Sequence, residues 1–343
     1  MSTLIIRADA LHIPLASESV QAVVTSQPYY RLRKYAGHSE DAFGWEKTVS
    51  QYVRKTIKIL REIRRVLRSG GIAFWILSDT YYGSNRGRGS RSKVNPYCEP
   101  SPLLGQGVAK SLCLIPERIK IAAQDDGWIV RSTIVWQKPN SIPESVKDRC
   151  AQSYEQIIML ARSKNYFWNT AEAVEASVCW HKGTWGSAEK SLINRRAKLQ
   201  LTMRHGNKIG CSKTEKRLHN FIGGGKKGDA YISEGTHGER SAHRMEIKPT
   251  RTLRDFWSIP THAHPDDHVA IFPEALADRC IRLVSKPGDT ILDPFAGSGT
   301  TGIVAERLGR NSILLDTSEE YCQLMKRRFV REDAISSDER REG

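Results

Sequence analysis

The chain has 343 residues, 39% of them hydrophobic and eight of them tryptophan, enough for one large α/β domain with an insertion or for two domains. It carries 53 Lys and Arg against 38 Asp and Glu, a net charge of +15 that favours a polyanionic partner, most often nucleic acid. No stretch is long and apolar enough to span a membrane, a signal peptide is not expected, and seven irregularly spaced cysteines make no disulfide framework, so a reducing cytoplasm is the expected setting.

Residues 3–30 read as a strand (TLIIR), a turn holding Asp9, and a second strand (VQAVVTS). The second strand runs into Ser26-Gln27-Pro28-Tyr29-Tyr30: a small polar residue, a proline and two aromatics. From Ser50 to Leu67 apolar residues recur at helical spacing, with Arg and Lys on the other face. Ser69-Gly70-Gly71 is expected to stop that helix, and IAFWILSD reads as a buried strand. Residues 83–107, rich in Gly, Ser, Pro and Arg, have no periodicity and predict a long mobile loop. LIPERIKIAAQDDG predicts a helix with Pro116 in its first turn, WIVRSTIVWQK a strand, and YEQIIMLARSKNYFW a strand or hairpin.

Residues 179–251 break this alternation. They hold 16 Lys or Arg against 6 Asp or Glu, a net of +10, so two thirds of the excess charge sits in about a fifth of the chain. Regular order resumes with a helix (PEALADRCIRLVSKPG), strand (DTILD), helix (GIVAERLGR), strand (SILLD) and helix (EEYCQLMKRRFVRED). Strands alternating with amphipathic helices imply a mostly parallel sheet covered on both faces. The expected organisation is a first part over 1–178, a basic insertion over 179–251, a second part over 252–332, and a frayed polar tail over 333–343.

TILDPFAGSGTTG contains Gly297-x-Gly299-x-x-Gly302 after a strand and before a helix, the context for a nucleotide-type cofactor at a helix N-terminus. Asp316 ends the next strand, 19 residues after Gly297, where an acid can accept from both hydroxyls of a ribose. Two features count against a nicotinamide dinucleotide. Asp293 places a carboxylate in the turn, where it repels a pyrophosphate but suits an ammonium. Only 41 residues follow Gly302, too few to complete a dinucleotide domain, so the sheet must be completed from the N-terminal half. An adenosyl cofactor carrying an amino acid, S-adenosylmethionine, fits both features.

DPFAGSGTTG with its acid-ended strand resembles the S-adenosylmethionine motif of amino-group DNA methyltransferases, and TSQPYY resembles their catalytic tetrapeptide, [D/N/S]-P-P-[Y/F/W]. The order, catalytic motif then basic insertion then cofactor motif, matches the circularly permuted β-class of that family. RTLRDFWSIPTHAHPDDHVAIFPEALADRCI, with His268, Phe272 and Pro273, is similar to the segment that leads the class into its cofactor pocket. The resemblance implies a Rossmann-like methyltransferase fold, with 179–251 as the target recognition insertion. It implies cofactor contacts at Asp9 (near the adenine), Asp293, Pro294, Phe295, Gly297, Ser298, Gly299, Thr300 and Asp316. It also implies double-stranded DNA with one base flipped out as substrate.

An exocyclic amino group is a poor nucleophile because its lone pair is delocalised into the ring. Two acceptors aimed at that nitrogen favour pyramidal geometry and turn the lone pair toward the methyl group. By resemblance these are Ser26 Oγ and the Gln27 carbonyl, carried on the Gln27-Pro28 turn, with Tyr29 stacking on the base. Unstacking the base costs a few kcal/mol, which an aromatic platform partly returns. Serine in first place resembles the form linked to cytosine N4, whereas aspartate there is linked more to adenine N6. The chain departs from the family at Gln27, where proline is usual: the carbonyl survives, but the ring that fixes φ does not. A non-catalytic DNA-binding homologue therefore stands beside the active enzyme as a reading, as does a methyltransferase acting on RNA or a small molecule. Arg86, Arg88, Arg91 and Lys93 are candidate phosphate contacts. Cys179, His181, Cys211 and His219 do not have good zinc-ligand spacing, and no metal is expected. No endonuclease-like carboxylate cluster stands out, so a cognate restriction endonuclease, where one exists, is a separate chain.

Overall fold

The computed structural model describes residues 1–32, 42–83, 107–141, 143–176, 250–261 and 273–342, with side chains as far as residue 332. Its strands are β1 (Thr3–Arg7), β2 (Val20–Ser26), β3 (Leu67–Leu77), β4 (Ile129–Gln137), β5 (Tyr154–Ala161), β6 (Val174–Ala176), β7 (Thr250–Thr252), β8 (Phe256–Ser258), β9 (Thr290–Asp293) and β10 (Asn311–Asp316). Its helices are α1 (Val49–Val66), α2 (Ile115–Asp125), α3 (Glu274–Val284), α4 (Thr300–Arg307) and α5 (Glu319–Glu342).

The chain divides into two compact units. The larger, residues 1–173 and 254–343, contains an eight-stranded sheet in the order β1-β10-β9-β2-β3-β5-β4-β8. Only β5 runs antiparallel to its neighbours. The expected mostly parallel sheet is therefore present, completed by strands from both halves of the chain. The smaller unit, residues 174–253, is described only as the antiparallel pair β6–β7, where Arg251 Nε donates to Glu175 Oε1 at 2.7 Å. The basic insertion 179–251, apart from its last two residues, lies outside the described residues, and so do residues 84–106 of the loop read as mobile.

Sequence pattern accounts for α1. Thr48 caps it with a reciprocal pair: its Oγ1 accepts from Gln51 N at 3.1 Å, and Gln51 Oε1 accepts from Thr48 N at 3.0 Å. Val53, Ile57, Leu60 and Ile63 are buried at helical spacing, while Arg54, Lys58 and Arg61 face water. Each large apolar side chain so buried contributes about 1.5–3 kcal/mol. Leu315 joins the core under α1 and α2, and its neighbour Leu314 packs with Met325 of α5, so successive residues of β10 serve opposite faces.

Two expectations change. The helix does not stop at Gly70-Gly71: Leu67 is already extended (φ −73°, ψ 134°), and β3 begins there without a loop. Val20 pairs with Leu67 but Ala22 with Ile72, so the glycines lie in an irregularity of β3. A Cβ on Gly71 would come within 2.6 Å of Leu67 Cγ and 2.7 Å of the Gln21 carbonyl oxygen. The tail read as frayed from 333 continues α5 to Glu342, since neither Gly nor Pro interrupts 319–342.

Gly71→Ala therefore forces backbone apart in the sheet centre and is expected to cost about 1–3 kcal/mol in urea unfolding. An unchanged unfolding midpoint would contradict this packing.

Candidate active site at the carboxyl edge of the sheet

The connection β9–α4–β10 steps one way across the sheet and β2–α1–β3 steps the other, so the order reverses between β9 and β2. Such a reversal opens a crevice at the carboxyl ends of the strands. β9 ends there at Asp293 and β2 at Ser26; the two strands pair only at Ala22–Ile291 and Val23–Leu292. The glycine loop and the Ser26–Tyr29 turn, far apart in sequence, thus meet at one edge.

The glycine loop is built for close approach. Gly297 (φ +53°) and Gly299 (φ +83°) occupy the left-handed region that glycine tolerates, and a Cβ on Gly297 would meet nothing within 4 Å. Open space above a glycine that leads to the N-terminus of α4 is a cradle for a cofactor. Gly302 serves packing instead, since a Cβ there would lie 2.6 Å from Leu314 Cδ1, and its absence lets helix approach strand. Gly297 N donates to Asp316 Oδ2 at 3.0 Å, and Ser318 N to Asp316 Oδ1 at 2.9 Å. Burial raises the Asp316 carboxyl above its usual range, against the pull of these amides. Arg328 Nη1 holds the Ser298 carbonyl at 2.9 Å, Ser298 and Thr300 hydroxyls lie 3.3 Å apart, and Pro294 is buried. Phe295 stacks on Phe43 at 5.5 Å and meets Trp75 edge-on at 6.0 Å.

Asp293 is 1% exposed. Its Oδ1 accepts from Thr25 Oγ1 at 2.6 Å and from Phe295 N at 3.1 Å; its Oδ2 accepts from Thr301 Oγ1 at 2.6 Å. These three internal donors hold the carboxylate beneath the loop. Burial pushes its pKa up to about 6, partly offset by the hydroxyl and amide donors.

The turn after β2 is clamped. Gln27 is 2% exposed, and its Nε2 donates to Tyr52 Oη at 2.6 Å. Tyr52 Oη in turn donates to the Pro28 carbonyl at 2.8 Å, and Thr56 Oγ1 reaches Gln27 Oε1 at 3.3 Å. Tyr52 and Thr56 stand one turn apart on α1, so the capped helix fixes both ends of the Gln27 amide. Ser26 Oγ donates to Tyr29 Oη at 3.3 Å, and Tyr29 Oη to Glu155 Oε2 at 2.5 Å. Glu155 is also paired with Lys138, whose ammonium lies 4.5 Å over the Trp136 ring. A cavity of about 310 Å³ opens beside Glu155, between Asp79, Tyr81, Arg149 and Gln152.

Asp9 is exposed past β1, with its Oδ1 accepting from Leu11 N at 2.9 Å; Ala8 N binds the Asp316 carbonyl at 3.0 Å, so the two acids end neighbouring strands. Pro273 is buried at the N-cap of α3. His268 and Phe272 lie outside the described residues, as do Arg86, Arg88, Arg91, Lys93, Cys179, His181, Cys211 and His219. Sequence reasoning missed Thr25, Thr301, Tyr52, Thr56, Glu155 and Lys138. Thr25 and Thr301 adjoin known motifs, and Tyr52 and Thr56 are polar positions on the buried face of a helix. Glu155 and Lys138 carried no local signal.

A crevice at a strand-order reversal, a glycine cradle beneath it and an acid-ended neighbouring strand define the class: an α/β enzyme with an adenosyl cofactor. A family profile described as DNA methylase, of the N6/N4 type, matches residues 20–327. The type II methyltransferase M.SmaI of Serratia marcescens is 30% identical over 92% of this chain and 86% of its own length. M.XycI of Xanthomonas campestris pv. cyanopsidis is 32% identical over 90% and 81%. In fold the chain is similar to the cytosine-N4-specific PvuII DNA methyltransferase (TM-score 0.53, 16% identity, 96% of this chain and 86% of that one). It is also similar in fold to a DNA modification methylase of Thermus thermophilus complexed with S-adenosyl-L-methionine (TM-score 0.50, 24% identity, 97% and 94%). The chain belongs to the N6/N4 DNA methylase family and is a DNA methyltransferase with S-adenosylmethionine as its cofactor.

The Asp293 carboxyl, raised above the 3.8 of an unfolded chain, holds its proton more tightly when folded. Its contribution to stability is thus fullest below pH 4 and is lost as pH rises to about 6, a swing of about 3 kcal/mol. Asp293→Asn has no such swing and is expected to gain on the wild type over that window in urea unfolding; parallel pH profiles would contradict it.

Proposed function

We propose that this protein is a site-specific DNA methyltransferase that modifies the exocyclic amino group of a flipped base, cytosine N4. The observation that carries the reading is the clamped Ser26-Gln27-Pro28-Tyr29 turn, joined through Thr25 and Asp293 to the glycine loop. Ser26 Oγ and the Gln27 carbonyl accept from the amino group and steer its lone pair, and Tyr29 stacks on the ring. Gly297 and Gly299 admit the cofactor, Asp316 accepts from its ribose, Asp9 lies toward its adenine, and Phe295 packs beside it. S-adenosylmethionine supplies the methyl group. The residues fit it: the space above Gly297 is open, and Asp316 is fixed by the Gly297 amide.

Serine at position 26, the form linked to cytosine N4, supports cytosine over adenine. The Gln27 clamp supports an active enzyme over a non-catalytic homologue, because hydrogen bonds from α1 supply the rigidity that a proline ring otherwise gives. The recognition role of 179–251 rests on its +10 charge, and the type II relatives support a modification role beside a separate cognate endonuclease.

Expression in a methylation-free host, followed by single-molecule sequencing and nucleoside mass spectrometry, tests this. N4-methylcytosine at one short sequence is expected; N6-methyladenine would move the target to adenine, and unmodified DNA would favour the non-catalytic homologue. Tyr29→Ala is expected to lower methylation about 100-fold or more while S-adenosylmethionine binding in calorimetry stays within about twofold.

A further inference from the structure

Ser26 and Tyr29 are two of the residues proposed to grip the base, but neither Glu155 nor Lys138 has a part in that reading. Glu155 lies on β5, opposite Trp136 of β4, and its side chain is 12% exposed. Its Oε2 takes the Tyr29 hydroxyl at 2.5 Å while Oε1 faces the Lys138 ammonium. A carboxylate beside an ammonium accepts hydrogen bonds and donates none. The Tyr29 hydrogen is therefore committed to Glu155, and the Tyr29 oxygen is left to accept. Ser26 Oγ, 3.3 Å away, must then donate to it. A serine hydroxyl carries one hydrogen and two lone pairs, so with that hydrogen committed it presents only lone pairs elsewhere.

We propose that Ser26, Tyr29 and Glu155 form a one-way proton route out of the base pocket, with Glu155 as the terminal acceptor and Lys138 as its counter-ion. The inference rests on the reading of Ser26 as the residue that meets the amino group. Before reaction, the chain of donors fixes the Ser26 hydroxyl as an acceptor, which a freely rotating hydroxyl is not. In the reaction the amino nitrogen bonds to the methyl carbon, the carbon–sulfur bond breaks with its electron pair going to sulfur, and the nitrogen becomes cationic. The nitrogen then loses one hydrogen to Ser26 Oγ as the Ser26 hydrogen moves to Tyr29 Oη and the Tyr29 hydrogen to Glu155 Oε2. The balance is a neutral methylamino group, a neutral thioether and a protonated Glu155, with both hydroxyls restored. The cavity beside Glu155 gives the proton a way out to water.

The test uses the full chain, Tyr29→Phe, which keeps the ring and removes the relay oxygen, and Glu155→Gln, which keeps the shape and removes the proton acceptor. Three quantities are measured on a duplex with 2-aminopurine next to the target position: S-adenosylmethionine affinity, flipping fluorescence without cofactor, and single-turnover methyl transfer. Both variants are expected to transfer at least about tenfold more slowly, with affinity and flipping signal within about twofold of wild type. Wild-type transfer in either variant would overturn the route. So would a rate loss matched by an equal loss of flipping, because Glu155 would then only position the Tyr29 ring. A wild-type protein that flips no base and transfers no methyl group would overturn the reading on which the route rests.

Discussion

The arrangement of the whole edge depends on one buried carboxylate. Asp293 binds a hydroxyl from the end of β2, the amide of Phe295 in the glycine loop, and a hydroxyl from the first turn of α4. Thr25 immediately precedes Ser26, so the same side chain that shapes the glycine loop also sets where the Ser26–Tyr29 turn begins. Hydrogen bonds to a carboxylate contribute about 1.5–3 kcal/mol each, against a desolvation cost of several kcal/mol for burying the charge. The raised pKa records that contest: burial outweighs three donors. Net stability from this group is therefore small near neutral pH, and its value is positional. It ties two segments 268 residues apart into one site.

That tie matters because the chain order is permuted. β2 comes early in the chain and β9 near the end, so no short loop holds them in register. The sheet supplies part of the connection through Ala22–Ile291 and Val23–Leu292, after which the strands separate to open the crevice. Thr25–Asp293 is the link at the mouth of that opening. An aromatic row continues it sideways: Phe295 stacks on Phe43, and Phe43 on Tyr52 at 5.2 Å, so the cofactor loop leans on the residue that clamps Gln27.

Much of the fold was legible in the sequence because parallel strands are continuous apolar runs and their covering helices are amphipathic. TILD, SILLD and IAFWIL could be placed without contacts, and the glycine loop followed from spacing. The Gly70-Gly71 pair misled because glycine signals both a helix stop and a strand irregularity; only the register of β3 against β2 separates the two. Asp293 was legible as a carboxylate in the turn, but its burial was not, because that depends on Thr25 and Thr301 arriving from elsewhere. The Gln27 departure looked like lost rigidity for the same reason. Its compensation comes from Tyr52 and Thr56, which no local pattern ties to residue 27. Glu155 lies on β5 and Lys138 just past the end of β4, and the place of Glu155 beside Tyr29 is a product of sheet order alone.

The coupling of glycine loop and Ser26–Tyr29 turn runs through Thr25 and can be measured there. Thr25→Val keeps the volume and removes the hydroxyl that binds Asp293. S-adenosylmethionine affinity by calorimetry and single-turnover methyl transfer at saturating cofactor should be measured on the same preparation. Both are expected to fall, by about tenfold each, because loop and turn are held by the same carboxylate. Loss of one with the other at the wild-type value would contradict it.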